Sequence, residues 1–564
     1  MKRLPKIAAL ILIEIRVILA LRLGIEFHAS QLWDDNLMMQ YAGLNSHFLR
    51  PEYFSLVKNM SFPVFIRLTS FTKLPLPVTM ALLWSAAAII TFYTINRFIP
   101  KFKFVSYFSF VYVLFMPQAF EMWSGVRLYR NMIIAPFSLI TLLLIINLTC
   151  DAYKMHKTAY LTAIALGIVF TFTYYIKEDG LWLICCLLLG MVIGGINIFF
   201  SKEKYVKKAF LVLLPLCIFF AGTLGYKAVN YKFFKVFEIN TRTGGEPGEF
   251  LNILYSMDSD YRSMYCWTPF DVIEKAFTYS ETLSEHPELL DGIMHTDWRD
   301  GDIVKNPIPG DHLGWILRDE LFLTGNFTTE KAMDEFFESV NDELKAAIKD
   351  GDILKEQDAI QIVGSAGGYT LEEIKFLFDI EKEGLLGAVL LKGNVPGLGG
   401  VTDEEIVENY ELVDATKGYT NLNYLDDYSL MRDASIKASK IVKVIFNIYK
   451  IVNAVLFILT ILGFIYGAVR LILSKVKDKR FFYLAGSIVF MGIALVYDFA
   501  ISWFSAFIFV NDGINNLTLN FYNISLPALL FISYIFAIIF IVKDVCMFLP
   551  EKANKPETDN GGNE

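Results

Sequence analysis

Residues 181–200 read LWLICCLLLGMVIGGINIFF, a run without a charged side chain. As a helix it would extend about 30 Å, the thickness of a bilayer's hydrocarbon core. Comparable runs lie at about 7–25, 78–96, 104–120, 132–149, 159–176, 209–229, 451–473, 481–503 and 524–543. They dominate the composition. Of 564 residues 54% are hydrophobic and 15% aromatic, only 20% are charged, and the mean hydropathy is +0.44. Soluble chains carry about a quarter charged residues. The clustering excludes a soluble enzyme, a nucleic-acid binder and a disordered chain, and predicts a polytopic α-helical membrane protein with about ten transmembrane helices.

The charge is as unevenly spread. The net charge is −8, and about forty of the 59 acidic residues fall between 230 and 440, so an acidic soluble domain interrupts the membrane-embedded frame. The expected layout is a membrane module at 1–230, a soluble domain at 231–450, three further spans at 451–545 and a polar tail at 546–564. Of the six cysteines only Cys266 lies in the soluble segment, which excludes an internal disulfide there. Adjacent Cys185 and Cys186 read as small core residues. Lys2, Arg3 and Lys6 precede the first run in the manner of a signal peptide. That run continues to about Ile25, holds Glu14, Arg16 and Arg22, and lacks a small-x-small cleavage site, so it reads as a retained span.

Orientation follows from the basic loops. Lys2/Arg3/Lys6, Arg97/Lys101/Lys103, Lys154/Lys157, Lys202/Lys204/Lys207/Lys208, Lys475/Lys477/Lys479/Arg480 and Lys543/Lys552/Lys555 alternate with less basic loops. The positive-inside rule puts them and both termini in the cytoplasm. The external side then receives 26–77, 121–131, 177–180, the 230–450 domain and 504–523. Few external cysteines and no retention signal favour a bacterial plasma membrane.

Segment 26–77 mixes Asp34, Asp35, Arg50, Glu52 and Lys58 with Phe27, Leu32, Trp33, Leu37, Met38, Met39 and Tyr41. That pattern suits short interfacial helices, with Met38 and Met39 toward the membrane, broken at Pro51, Pro63, Pro75 and Pro77. The soluble domain reads as helices between glycine-rich turns. Thr268 is the expected cap of a helix with Pro269 first and Asp271 in its first turn. Thr370-Leu-Glu-Glu373 and Thr402-Asp-Glu-Glu405 are capping boxes, and 329–348 has helical periodicity. The glycines at 364–368 and 393–400 lack dinucleotide or P-loop spacing.

Three short external loops carry the candidate chemistry: Trp33-Asp34-Asp35-Asn36, Trp123-Ser-Gly-Val-Arg127-Leu-Tyr129-Arg130-Asn131, and Tyr174-Tyr175-Ile-Lys177-Glu178-Asp179-Gly180. Topology brings them to one membrane face. Arginine offers a planar fork for phosphate oxygens, and a carboxylate can take a proton from a hydroxyl. Together with framing aromatics they suit a polar substrate bearing a phosphate and an apolar tail. Arg127 and Arg130, three residues apart, would share a helical face. Arg22 and Asp498, inside spans near the outer boundary, are further candidates because charge in lipid is expensive. Glu14 and Arg16, deeper, read as pairings within the bundle. His295, Asp297 and His312 are too scattered to form a metal site. Trp267, Trp298 and Trp315 suit sugar stacking or a buried core.

A first span, a long interfacial external loop opening on an acidic pair, and six more spans resemble the seven-span module of GT-C integral membrane glycosyltransferases. That superfamily includes arabinosyltransferases, protein mannosyltransferases, aminoarabinose transferases and oligosaccharyltransferases. The resemblance covers about residues 1–230. It implies transfer of a sugar from a polyprenyl-phosphate donor to a glycan, lipid or protein acceptor, by direct displacement with inversion. Asp34 or Asp35 would be the general base, Arg127 and Arg130 the phosphate partners, and Trp33, Tyr129, Glu178, Asp179 and Arg22 substrate-binding residues. Relatives admit a divalent metal, although no His/Asp cluster here calls for one. Relatives often carry their soluble domain after the last span; here it precedes three more. The competing classes are a transporter or flippase of lipid-linked sugars, for which no internal repeat is visible, and a non-catalytic envelope-assembly protein.

Overall fold

The computed structural model describes residues 4–28, 34–35, 37–42, 56–151, 157–201, 205–296, 298, 303–325, 329–357, 359–362, 366–398, 428–474 and 480–545. It is 77% helix, with no strand among the described residues. The first part holds α1 (Leu4–Leu23), the short α2 (Leu37–Tyr41) and α3 (Ser61–Ser70), then α4 (Leu76–Phe98), α5 (Lys103–Leu114), α6 (Asn131–Asp151), α7 (Lys157–Tyr174), α8 (Leu181–Ser201) and α9 (Tyr205–Phe234). The inserted part holds α10 (Gly245–Ser256), α11 (Phe270–Tyr279), α12 (Glu281–Ser284), α13 (Pro287–Met294), α14 (Leu313–Leu323), α15 (Glu330–Asp350) and α16 (Glu373–Leu390). The chain closes with α17 (Tyr428–Ser474), α18 (Phe481–Asp512), α19 (Asn516–Tyr522) and α20 (Leu526–Val545).

Among the described residues seven helices are long and apolar enough to cross a membrane: α4, α6, α8, α9, α17, α18 and α20. Helices also occupy the other three predicted spans. However, α1 carries Glu14, Arg16 and Arg22, and α5 and α7 are shorter. The bundle has an inside and an outside. In α6 78% and in α20 72% of the span is buried, against 22% in α9 and α17, so the first two form the core and the last two present apolar side chains outward. The last three long helices join the same bundle: α17 packs on α1, and α20 on α6 and α18. Tyr112 Oη donates to Asn453 Oδ1 at 2.8 Å, and Tyr449 Oη to the Tyr112 carbonyl at 2.6 Å.

Several expectations need correction. The predicted span 104–120 ends as helix at Leu114, where Met116-Pro117 turns the chain into a one-turn 3-10 helix, Pro117–Ala119. Helix α17 begins at Tyr428 rather than 451, so it is far longer than a bilayer requires. Pro63 and Pro77 do not break helices but sit in the first turns of α3 and α4, where no backbone donor is lost; Pro51 lies outside the described residues. Met38 and Met39 are buried in the protein core instead of facing lipid. Glu14 is exposed while Arg16 is buried over the Phe120 ring at 4.3 Å, so the two do not pair. Cys186 is buried and Cys185 exposed.

In the inserted part the local rules mostly hold. The Thr370–Glu373 capping box forms: Thr370 N–H donates to the Glu373 carboxylate at 2.8 Å, and Glu373 N–H to Thr370 Oγ1 at 3.4 Å. The Thr402 box lies outside the described residues. Thr329 caps α15 through the Ala332 N–H, and Gly351 closes it at φ +88°, a left-handed angle that favours glycine. Thr268 does not cap α11. Pro269 takes that position, with extended backbone and no side-chain acceptor. The inserted helices pack on the C-terminal half of α18, where Trp503 Nε1 donates to the Gly367 carbonyl (3.1 Å) and Tyr369 Oη to the Trp503 carbonyl (3.0 Å).

Candidate functional site

The site begins with backbone. Glu26 and Arg127 form an isolated parallel bridge, in which Glu26 N–H donates to the Val126 carbonyl (2.9 Å) and Leu128 N–H to the Glu26 carbonyl (2.7 Å). Those two bonds clamp the segment after α1 onto the loop between α5 and α6. The second loop turns because the buried Glu121 carboxylate accepts from the Trp123 and Ser124 N–H groups, both at 2.8 Å. Beyond the turn Arg127 is extended rather than helical. Arg127 and Arg130 therefore do not share a helical face. They converge on the Tyr129 ring, at 5.1 and 5.2 Å from its centroid.

Around that ring the predicted residues meet. Arg127 holds Asp35 through Nε at 2.7 Å and Nη2 at 2.5 Å, and reaches Asp34 at 3.4 Å. Asp34 also pairs with Lys58, whose ammonium donates to Tyr129 Oη at 2.9 Å. Arg130 binds both Glu178 oxygens at 2.6 Å. Asp179 turns aside to Lys177 (3.7 Å) and Tyr497 Oη (3.2 Å). One predicted member stays apart. Arg22 is exposed at the end of α1, without a polar partner among the described residues, and Trp33 lies outside them.

The two aspartates differ in access. The Asp35 side chain is fully buried, whereas that of Asp34 is 29% exposed. Asp35 also accepts from the His28 N–H at 3.1 Å, so both its oxygens are engaged. Asp34 is the reachable carboxylate. Burial alone would raise its pKa, but the charges of Lys58 and Arg127 prevail and hold it well below the usual carboxylate range. Burial raises Asp35 despite Arg127. Burial lowers Lys58 to about 8, with Asp34 opposing. Glu178, which burial would raise, is brought to about 2 by Arg130 and Arg242.

Several members are not marked by the loop sequences. Lys58 reads as one more loop charge, yet it is buried at the centre. Arg242 and Asp311 pair with each other and come from the inserted part. Trp315 lies between Lys58 (5.3 Å) and Arg242 (5.0 Å) as a cation–π partner to both. Phe521, in α19, stacks on Tyr129 with centroids 5.8 Å apart and also faces Arg127 at 5.7 Å. Trp123 stacks on His28 at 5.6 Å. These contacts are long-range, and only the aromatic character of each residue hinted at them.

The charges balance, with Lys58, Arg127, Arg130, Lys177 and Arg242 set against Asp34, Asp35, Glu178, Asp179 and Asp311. Two donors stay open: Arg130 Nε–H and Trp123 Nε1–H are buried and lack a hydrogen-bond partner among the described residues. An anionic group with acceptor oxygens would satisfy them. Among the described residues no cluster of three His, Cys, Asp or Glu is placed to hold a metal ion. No known family model, no curated protein and no solved structure matches this chain.

Proposed function

We propose that this chain is a membrane glycosyltransferase of the GT-C type. It moves a sugar from a polyprenyl-phosphate donor to an acceptor hydroxyl on a glycan, lipid or protein at the outer face of the membrane. In this reading the chain crosses the membrane ten times, both termini are cytoplasmic, and the 230–450 part is external. The observation that carries it is the pairing of one reachable carboxylate, Asp34, with a buried arginine that still has an open donor, Arg130.

The chemistry is an in-line displacement. Asp34 takes the proton of the acceptor hydroxyl as its oxygen bonds to the sugar's anomeric carbon. The bond from that carbon to the phosphate oxygen breaks, and its electron pair leaves with the polyprenyl phosphate. Arg130 meets the charge that grows on that phosphate, as preorganised donors do. Arg127 holds Asp35 and the loop instead of the substrate. Phe521, Trp123 and Trp315 supply faces on which a sugar ring can rest.

The test is transfer of labelled sugar from a polyprenyl-phosphate donor by the purified full-length protein in liposomes. Transfer that falls in Asp34→Asn and in Arg130→Lys supports the reading. A parent protein that moves the donor lipid across the bilayer without transferring its sugar refutes it in favour of a flippase.

A further inference from the structure

Asp498 lies in α18, fully buried, and none of the contacts above involves it. Its Oδ1 accepts from Asn523 Nδ2 at 2.5 Å, and its Oδ2 has no hydrogen-bond partner. Among the described residues no lysine, arginine or histidine is within ion-pair distance of Asp498. The charged neighbour whose field reaches it is another carboxylate, Glu381, one turn before Gly384 on α16. The backbone closes over the group at Gly384, where a Cβ would overlap both the Asp498 carboxylate and the Asn523 amide. A carboxylate buried without a partner is costly, and in membrane proteins such groups mark ion or proton sites.

The surroundings favour an ion. Asn523 and Gln118 line a small recess of about 10 Å³, room for a single water-sized particle, together with Ser124, Gly384, Asn394 and Asn520, and Asp498 adjoins it through its bond to Asn523. Asn523 Oδ1 and Gln118 Oε1 are both buried and without a partner, 4% and 6% of these residues being exposed. Asn520 and Asn394 each donate an amide hydrogen to a carbonyl, that of Lys392 (2.8 Å) and of Gly387 (3.4 Å). The buried atoms left without partners, Asp498 Oδ2, Asn523 Oδ1 and Gln118 Oε1, are all acceptors, which is the requirement of a hard cation. One buried carboxylate with neutral amide oxygens neutralises a single positive charge, whereas calcium sites use several carboxylates.

We propose that Asp498, with the amide oxygens of Asn523 and Gln118, forms a binding site for a monovalent cation of the sodium type. The site sits where the inserted helix α16 meets α18. Asn523 is two residues from Phe521, whose carbonyl accepts from Asn131 at 2.9 Å and whose ring packs on Tyr129. A bound cation would fix α16, α18 and the end of α19 to one another, and with them the aromatic wall of the candidate site.

The experiment uses the full-length protein in detergent or nanodiscs and is independent of any transfer assay. Thermal unfolding is followed by tryptophan fluorescence at constant ionic strength, with sodium chloride replacing choline chloride. Sodium should raise the Tm of the parent saturably, by on the order of 2 °C, and the increment should vanish in Asp498→Asn and shrink in Gln118→Leu. Radioactive sodium binding to the parent by a proximity assay gives the same answer without a variant, so a misfolded variant does not leave the question open. No sodium-dependent Tm shift together with no bound sodium overturns the proposal. So does an Asp498→Asn protein as stable as the parent at every sodium level, which would mean a protonated carboxyl. Calcium that binds in place of sodium at a thousandfold lower concentration overturns the monovalent assignment.

Discussion

Asn substitutions at Asp34 and Asp35 should separate chemistry from scaffold, because the two neighbours are held so differently. Asp35→Asn removes the nearer negative partner of Arg127, a pair with contacts at 2.7 and 2.5 Å and almost no exposure, and leaves only Asp34 at 3.4 Å. Breaking a buried ion pair costs up to about 3–5 kcal/mol, which corresponds to a fall in Tm of up to about 10 °C. Asp34→Asn strands Lys58 instead, and here there is an escape. Burial lowers Lys58 to about 8 even with Asp34 raising it, so without Asp34 it sheds its proton near neutral pH at a cost on the order of 1 kcal/mol or less. Neutral Lys58 keeps its hydrogen bond to Tyr129, and the Tm should fall by no more than about 2 °C. Transfer should move the other way. Loss of a positioned base typically costs about 10²–10⁴-fold, so Asp34→Asn should be folded and nearly inactive, with donor binding retained. The assay pairs thermal unfolding with single-turnover transfer from labelled polyprenyl-phosphate sugar in liposomes. A well-folded, inactive Asp35→Asn beside an active Asp34→Asn would refute the assignment of the reachable carboxylate as base.

Three further outcomes follow from the same geometry. As pH rises through about 8, Lys58 loses its charge and with it the means to neutralise a departing phosphate, so the transfer rate should fall between pH 7 and 9, and this fall should be absent in Lys58→Met. Glu121 is raised by burial to about 7, so the folded state keeps a proton that the unfolded state releases near 4.5. Its contribution is therefore present below pH 4.5 and lost as pH rises through 7, by about 3 kcal/mol. Glu121→Gln keeps an oxygen for the Trp123 and Ser124 N–H groups, and should raise the Tm at pH 8 while leaving it unchanged at pH 4. Arg130→Lys keeps a single nitrogen for Glu178, whose two oxygens are both bonded by Nη1, but loses the open Nε–H; the donor's KM should rise about tenfold or more, read from transfer at varied donor concentration.

The bundle was legible because the bilayer imposes one demand, about twenty apolar residues per crossing, and α4, α6, α8, α9 and α20 meet it with little else. Legibility fails where protein replaces lipid. The stretch after α5 is apolar enough to read as span to residue 120, yet Pro117 lets it turn, and the turn survives because it is buried in protein. Met38 and Met39 mislead for the same reason: an apolar pair beside acids looks interfacial when the structure that covers it is far away in sequence. The N-terminal extension of α17 is polar, so no hydropathy signal announces it. For the site, the sequence yields the loops and their shared face but not their pairings. Arg127 with Asp35, Arg130 with Glu178 and Lys58 with Asp34 depend on the Glu26–Arg127 bridge and on the turn at Glu121, which have no signature of spacing.

The distribution of open and closed groups also bears on how such a site could work at a membrane boundary. A cluster in which every cation is matched by a carboxylate presents no net field to draw in an anionic lipid. Attraction must then be local, and the open donors of Arg130 and Trp123 are local. Asp35 and Glu178 each hold an arginine in place, so those guanidiniums need no reorganisation when charge develops on a bound phosphate, which is the condition under which fixed dipoles help most. Asp34 differs because its partner Lys58 is a point charge that burial has already weakened. A proton arriving on Asp34 would release Lys58 from that pair and leave it beside Tyr129 and the departing phosphate, where its charge again has a counterpart. On this argument Lys58 serves the start and the end of one reaction: it holds Asp34 ionised beforehand and helps to neutralise the leaving group afterwards.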